Sequence, residues 1–383
     1  MGLILTGCFS LLNGTATSSE PVQEFLNGLH RRHYFDTAVY YLETLEADDQ
    51  LPASERELLT FRRGVTDLLG ARHSVQPAEQ TRKLESAVAL FTRFLQSSHR
   101  HPWGEQARGL LSEARLQLAQ RRIQEQESAL PQSGSEEFWK GIRTQIDELR
   151  ILFIQQRDRS EDALRNYSAY IPQDESELRR SRDRVQELFI RSSLDLAQCD
   201  YWEAHTHVVN TKERQQLLIA AGRAYEAIHQ RFRSQVGGLY ARLWQGKCYE
   251  ELGDEQGVRL ALGIYGEILE HDGTSPLLVS LKDRALLFRL ICLNSPFRKD
   301  YQLVDLEAEQ WLESAPQRID TEAGLGIQWE LCRALEFLSR ENKWPMEIRE
   351  DFLARARTHL IHLQQVTGGK TREFQELMRR IAP

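Results

Sequence analysis

The sequence predicts an all-α fold, a solenoid of stacked antiparallel helical hairpins. Three observations predict it. From residue 21 onward the apolar residues recur at three- and four-residue spacing, not at two, which is the period of a helix face. Leu, Ala, Glu, Arg and Gln dominate while Val and Thr are sparse, a mixture whose straight side chains lose little rotamer freedom in a helix. The 11 prolines fall mostly at the ends of apolar segments, where they stop helices without breaking them. With 383 residues, 41% of them hydrophobic, the chain is long enough for two ordinary domains or one extended solenoid.

Residues 1–20 stand apart. Met1 to Ser19 carries no charged side chain, and the run Gly2-Leu3-Ile4-Leu5, followed by Phe9, Leu11 and Leu12, is too short to span a bilayer of roughly 30 Å. It resembles the tail of a truncated secretory signal, with small residues at Gly14-Thr15-Ala16 for cleavage. Leu5-Thr6-Gly7-Cys8 resembles a bacterial lipobox, in which the Cys is lipidated and the chain is cut before it. The plain alternative is an apolar N-terminus packed on the first helix. A periplasmic or envelope-associated location is the resulting expectation, with the cytoplasm as its alternative.

From residue 21 helical hairpins follow one another. Residues 21–32 and 35–47 make the first pair, with Ala38, Leu42 and Leu45 on one face. Residues 53–72 and 80–98 make the second, where Ala87, Phe91 and Phe94 repeat that spacing before Pro102. Further helices are predicted over 103–126, 136–157, 160–170, 175–198, 202–233, 277–293, 301–314, 321–341, 346–366 and 370–381. The Ser/Gly/Pro-containing stretch 128–135 reads as a flexible joint between N-terminal repeats at 21–127 and C-terminal repeats at 136–383.

The clearest unit begins near Leu239. Gly246 lets two helices approach, Tyr249 fills the space between hairpins, and Gly253-Asp254 makes the turn. Ala261 is the small contact of the second helix, Tyr265 and Ile268 follow at helical spacing, and Pro276 ends the unit. This series resembles the tetratricopeptide repeat (TPR), whose period is about 34 residues. The resemblance is fullest over 239–276 and thinner over 21–52 and 84–102. The spacing Leu90-Phe91, Phe94-Leu95, Pro102-Trp103, Ala107 and Leu110-Leu111 is also similar to periplasmic TPR proteins of envelope assembly.

The resemblance implies a concave groove lined by the first helix of each pair, suited to an extended peptide or a partner helix. On spacing, Tyr240, Leu243, Lys247, Glu250 and Glu251 share that face in the clearest unit, and Asn27, His30 and Arg31 are their equivalents in the first. Reversing the charge of Lys247 should therefore spare folding and alter partner binding. A non-enzymatic scaffold or adaptor for a protein partner is the expected role. An all-helical toroid enzyme, hydrolase or lyase, and a structural component of an envelope assembly are the alternatives. Short connections count against the toroid, whose catalytic acids need long loops.

Chemistry-bearing motifs are sparse. The net charge is −7 and Arg is interleaved with acids, the reverse of a nucleic-acid binder. The densest basic stretch, Arg179-Arg180-Ser181-Arg182-Asp183-Arg184, reads as a solvated helix face behind Asp174, Glu175 and Glu177. Gly369-Lys370-Thr371 lacks the first glycine of a P-loop, because Gln364 stands there, and reads as a turn. His99-Arg100-His101 and His205-Thr206-His207, the latter near Cys199, have an i, i+2 spacing unsuited to sharing a metal on a helix, whereas His359 and His362 lie one turn apart. Cys8, Cys199, Cys248, Cys292 and Cys332 form no C-x-x-C pair, so neither a zinc ribbon nor a disulfide framework is expected. The seven tryptophans lie among apolar neighbours and read as inter-helix packing. No cofactor is expected, and membrane contact is expected only through an N-terminal lipid.

Mass spectrometry of the native protein is expected to find the chain cleaved or acylated near Cys8; an intact, unmodified Met1 on a cytoplasmic protein would overturn this.

Overall fold

The computed structural model describes residues 22–97, 101–129, 135–168, 170–172, 174–369 and 371–381. The stretch 1–20, residues 130–134 within the expected joint, and His99, Arg100 and Lys370 lie outside the described residues. Among the described residues there are fifteen α-helices, one short 3-10 turn and no strand. The chain forms two compact units, one up to Leu152 and one from Phe153 onward.

The first unit contains α1 (Val22–Arg31), α2 (Phe35–Glu46), α3 (Ala53–His73), α4 (Pro77–Ser97), α5 (Gly104–Ala129) and the first part of α6 (Glu136–Arg165). Each of α1 to α4 packs on its successor, and α3 also touches α5. Phe61, Leu68, Leu84, Phe91, Phe94 and Ala107 form the main core. A second, smaller core gathers Val22, Leu26, Ala38 and Leu42 of the first hairpin, with Leu59 of α3.

The second unit holds the rest of α6, then α7 (Ser176–Ala204), α8 (Lys212–Arg231), α9 (Val236–Glu251), α10 (Glu255–Glu270), α11 (Pro276–Asn294), α12 (Tyr301–Ser314), α13 (Glu322–Arg340), α14 (Met346–Thr367) and α15 (Arg372–Ile381). From α7 onward each helix packs on the next, and α7 on α9, α9 on α11, α11 on α13 and α13 on α15 add next-but-one contacts. Short connections make such neighbours antiparallel.

Two boundaries differ from expectation. The helices predicted at 136–157 and 160–170 are one helix, α6, because Arg157-Asp158-Arg159-Ser160 contains no residue that breaks the backbone ladder. Its buried stripe, Ile142, Ile146, Leu149, Phe153 and Ser160, runs through the expected break. The predicted break at 199–201 lies instead at 205–211. Cys199, Tyr201 and Trp202 are buried and keep α7 helical, and the turn is made where Asn210 takes a left-handed φ of 68° and Thr211 caps α8.

The α9–α10 hairpin follows its sequence signals closely. Gly253 has φ 70°, and the Asp254 side chain accepts the Gly257 amide at 2.6 Å to cap α10. A Cβ on Gly246 would stand 2.7 Å from a ring carbon of Tyr265, so only glycine allows this approach of α9 to α10. Ala261 is fully buried. Pro276 opens α11, with Ser275 as its cap, and so begins the next element where the sequence suggested an end.

Ala261→Leu and Gly246→Ala are each expected to cost about 1–3 kcal/mol by overpacking this contact. Leu260→Ala, at an exposed neighbour, should shift stability by less than about 0.5 kcal/mol. Urea midpoints of the three variants check the register: an Ala261→Leu protein as stable as wild type would refute it.

Candidate functional site

The expected groove residues of α9 lie somewhere else than foreseen. Tyr240 and Leu243 are core residues with no usable surface, which corrects their assignment to a groove wall. The spacing rule identifies one face of α9 correctly, but α7, α8, α10 and α11 all pack on this helix, and no broad apolar-free face is left for solvent. Trp244 sits amid the aromatic rings of Tyr201, Tyr225, Tyr240 and Phe288, with centroids 5.1 to 6.4 Å away.

Lys247, Glu250 and Glu251 occupy the last turn of α9 and form an ionic knot rather than a charged wall. The Lys247 ammonium donates to the Glu250 carboxylate and lies 3.1 Å from Glu251. Arg214, from the first turn of α8, reaches Glu251 at 3.1 Å and points a second nitrogen at the Ala204 carbonyl that ends α7. Tyr265 of α10 donates to Glu250 at 3.0 Å, and Lys247 lies 5.0 Å from the Phe288 ring centre of α11. Two cations thus meet two carboxylates where five helices converge. The side chains are 7 to 22% exposed, so the charges hold one another rather than water.

The electrostatics follow from that enclosure. Burial alone would raise the Glu251 carboxyl, but Lys247, His205 and Arg214 outweigh it and hold it at about 2. Burial dominates at Glu250, which is raised despite Lys247. Lys247 is raised, because its two carboxylates overcome the burial that would lower it. The Glu251 contribution to stability is therefore complete above about pH 4.5 and is lost as pH falls through about 2.

In the first hairpin Asn27 is half-buried and accepts the Gln23 side-chain amide at 3.0 Å, and Arg31 is exposed. His30 is turned inward, its Nε2 3.0 Å from the Thr66 hydroxyl of α3. The single hydroxyl hydrogen of Thr66 goes to the Arg62 carbonyl at 2.9 Å, so the imidazole is the donor. Burial lowers His30 to about 4.

The remaining motifs resolve into local structure. Gly368 and Gly369 both have positive φ at the end of α14, and the Thr371 hydroxyl accepts the Phe374 amide, so this segment is a turn. His362 faces Asp320 at 2.9 Å while His359 faces Glu309, so the two do not converge on one point. Among the described residues no three His, Cys, Asp or Glu side chains are grouped as a metal ion would require, and no helix is long and apolar enough to cross a membrane. Cys199, Cys248, Cys292 and Cys332 are all buried, and burial raises Cys248, Cys292 and Cys332.

Spacing along α9 could not reveal Arg214, His205 or Tyr265 as members of the knot. They come from the end of α7, the start of α8 and the middle of α10, and the sequence signals at His205 and Tyr265, a His-x-His pair and a repeat packing position, do not point to α9. No known family model matches the chain, and no curated protein matches it either.

The enclosure of Lys247 reverses the expectation for its charge. Lys247→Glu would place a third carboxylate among two enclosed ones, and Lys247→Met would leave both without their main partner. Each is expected to cost about 3–5 kcal/mol. Adding Glu250→Gln to Lys247→Met should recover part of that loss. Denaturant titrations check this, and a Lys247→Glu protein of wild-type stability would show that the knot contributes nothing.

Proposed function

We propose that the chain is a TPR-like scaffold that acts by holding a protein partner rather than by catalysis. The observation that carries this reading is the packing of α7 to α13, where each helix lies on its successor and alternate helices touch as well. Hairpins joined in that way bury one another's apolar faces in series, which is the organisation of helical repeats. The tight turn at Gly253-Asp254 and the close approach at Gly246 support a TPR-like geometry for the α9–α10 hairpin. Function is assigned here from fold-level likeness, since repeats of this kind serve chiefly as binding surfaces.

The enclosure of α9 moves the proposed contact surface to other residues. Asn27 and Arg31 on α1 remain accessible, and exposed Tyr34 and Tyr40 flank them in the first hairpin. Aromatic residues and arginine are the side chains that most often anchor a protein interface. The uncharged N-terminal stretch with Leu5-Thr6-Gly7-Cys8 supports an envelope location for this activity.

A photo-cross-linking residue at Arg31 or Tyr40, expressed in the native cells, is expected to capture one discrete polypeptide in the envelope fraction. The same residue at Glu347, an exposed position on α14, is the control. Absence of any specific adduct from the two test positions would overturn the scaffold reading for this surface.

A further inference from the structure

We propose that the joint between the α1–α2 hairpin and α3 is an acid-sensitive latch, closed while the imidazoles of His30 and His73 are neutral and released when they take up protons. The proposal rests on the first unit alone and is independent of any partner.

Three imidazoles surround one phenyl ring there. Phe35, the first residue of α2, has His73, His33 and His30 at ring-centre distances of 5.3, 6.0 and 6.1 Å. His33 and His73 touch directly, with centres 3.9 Å apart. Stacked neutral imidazoles pack well, whereas two imidazolium ions at that distance repel. The contact is tilted face to face, so the pair is not arranged with its nitrogens converging on a metal. His33 is held in place by the turn itself, where it has φ 61° and donates its amide to the His30 carbonyl.

The surrounding charges give a proton no new partner. On α4, Lys83 lies 3.8 Å from Asp36 of α2 and 3.4 Å from Glu79. On α3, Arg72 is paired with Glu113 of α5, Arg62 with Glu55, and Arg63 with Glu43 of α2. Arg32 of the turn donates to the Gly28 carbonyl. The carboxylates within reach are committed to cations, and Arg72 adjoins His73 in sequence. Burial and, for His73, the adjacent His33 and Arg72 hold both His30 and His73 at about 4. The sign is then fixed. A released hairpin binds protons from about pH 6.5 downward, and the docked one does not until about pH 4. Docking is strongest above 6.5 and weakens as pH falls through that window.

Release can be local because the hairpin has a core of its own. Val22, Leu26, Ala38 and Leu42 form a cluster with Leu59 as the buried contribution of α3, separate from the Phe61–Phe91–Phe94 core. An element with so small an anchor can open without global unfolding.

Hydrogen exchange by mass spectrometry on the full chain tests this at pH 7.5 and 5.0, with rates corrected for the intrinsic effect of pH. One histidine displaced from about 6.5 to about 4 changes the opening equilibrium by at most about 30-fold at pH 5. Partial exposure reduces that, so a loss of protection of about tenfold or more is expected across α2, with α13 unchanged. The doubly substituted His30→Gln/His73→Phe protein should lose less than about a third as much. Should that variant fail to fold at pH 7.5, His33→Asn, which suits the left-handed turn, should also shrink the response. Unchanged protection of α2 in wild type, equal losses in wild type and variants, or a parallel loss in α13 would each overturn the latch.

Discussion

The second unit depends on a constraint of enclosure. Because four helices cover α9, the charges of its last turn must be answered by other side chains, and Lys247, Glu250, Glu251 and Arg214 answer one another. Water cannot do so at that depth. The knot ties the end of α7, the start of α8 and the end of α9 to α10, while the aromatic rings around Trp244 fill the middle of α9. Register among these helices follows from two unlike devices, one ionic and one steric.

Buried carboxylates matched across helices recur through both units. Asp67 of α3 accepts Ser86 of α4 at 2.6 Å, and Glu113 of α5 meets Arg72 of α3. Asp283 of α11 accepts the Trp311 indole of α12 at 2.7 Å and pairs with Arg318. Glu330 of α13 accepts Asn294 of α11 at 2.7 Å, and Glu336 meets Arg380 of α15 at 3.2 Å. In each case a buried carboxylate is matched from an adjacent or next-but-one helix. An apolar stripe tolerates sliding by a turn, since leucines are interchangeable to one another. A buried carboxylate does not, because a slip leaves it without its donor.

Much of the fold was legible because it is written locally. The helical period and the Gly253-Asp254 turn act within a few residues of where they stand, and Gly246 meets Tyr265 across a single short hairpin. The face of α9 was legible too, but its surroundings were not. Spacing says that Tyr240, Leu243 and Lys247 point the same way and is silent on what waits there. A break was expected within α6 because polar Arg157-Asp158-Arg159 looks like a loop when its flanking buried stripe is read in two pieces. The contact of His33 with His73 joins residues forty apart, and neither bears a motif. Composition of the imidazole cluster belongs to tertiary packing alone.

The four enclosed cysteines have a consequence for how the chain meets its surroundings. The thiolate is the species that exchanges with disulfides, and burial suppresses it at Cys248, Cys292 and Cys332. Each of the four sits on a different helix, α7, α9, α11 and α13, within the packed interior of the second unit. Once the unit is folded, these thiols are withdrawn from exchange with the disulfides of its compartment. Only its unfolded form offers these thiols to disulfide exchange, so disulfide formation would compete with folding rather than with the finished structure.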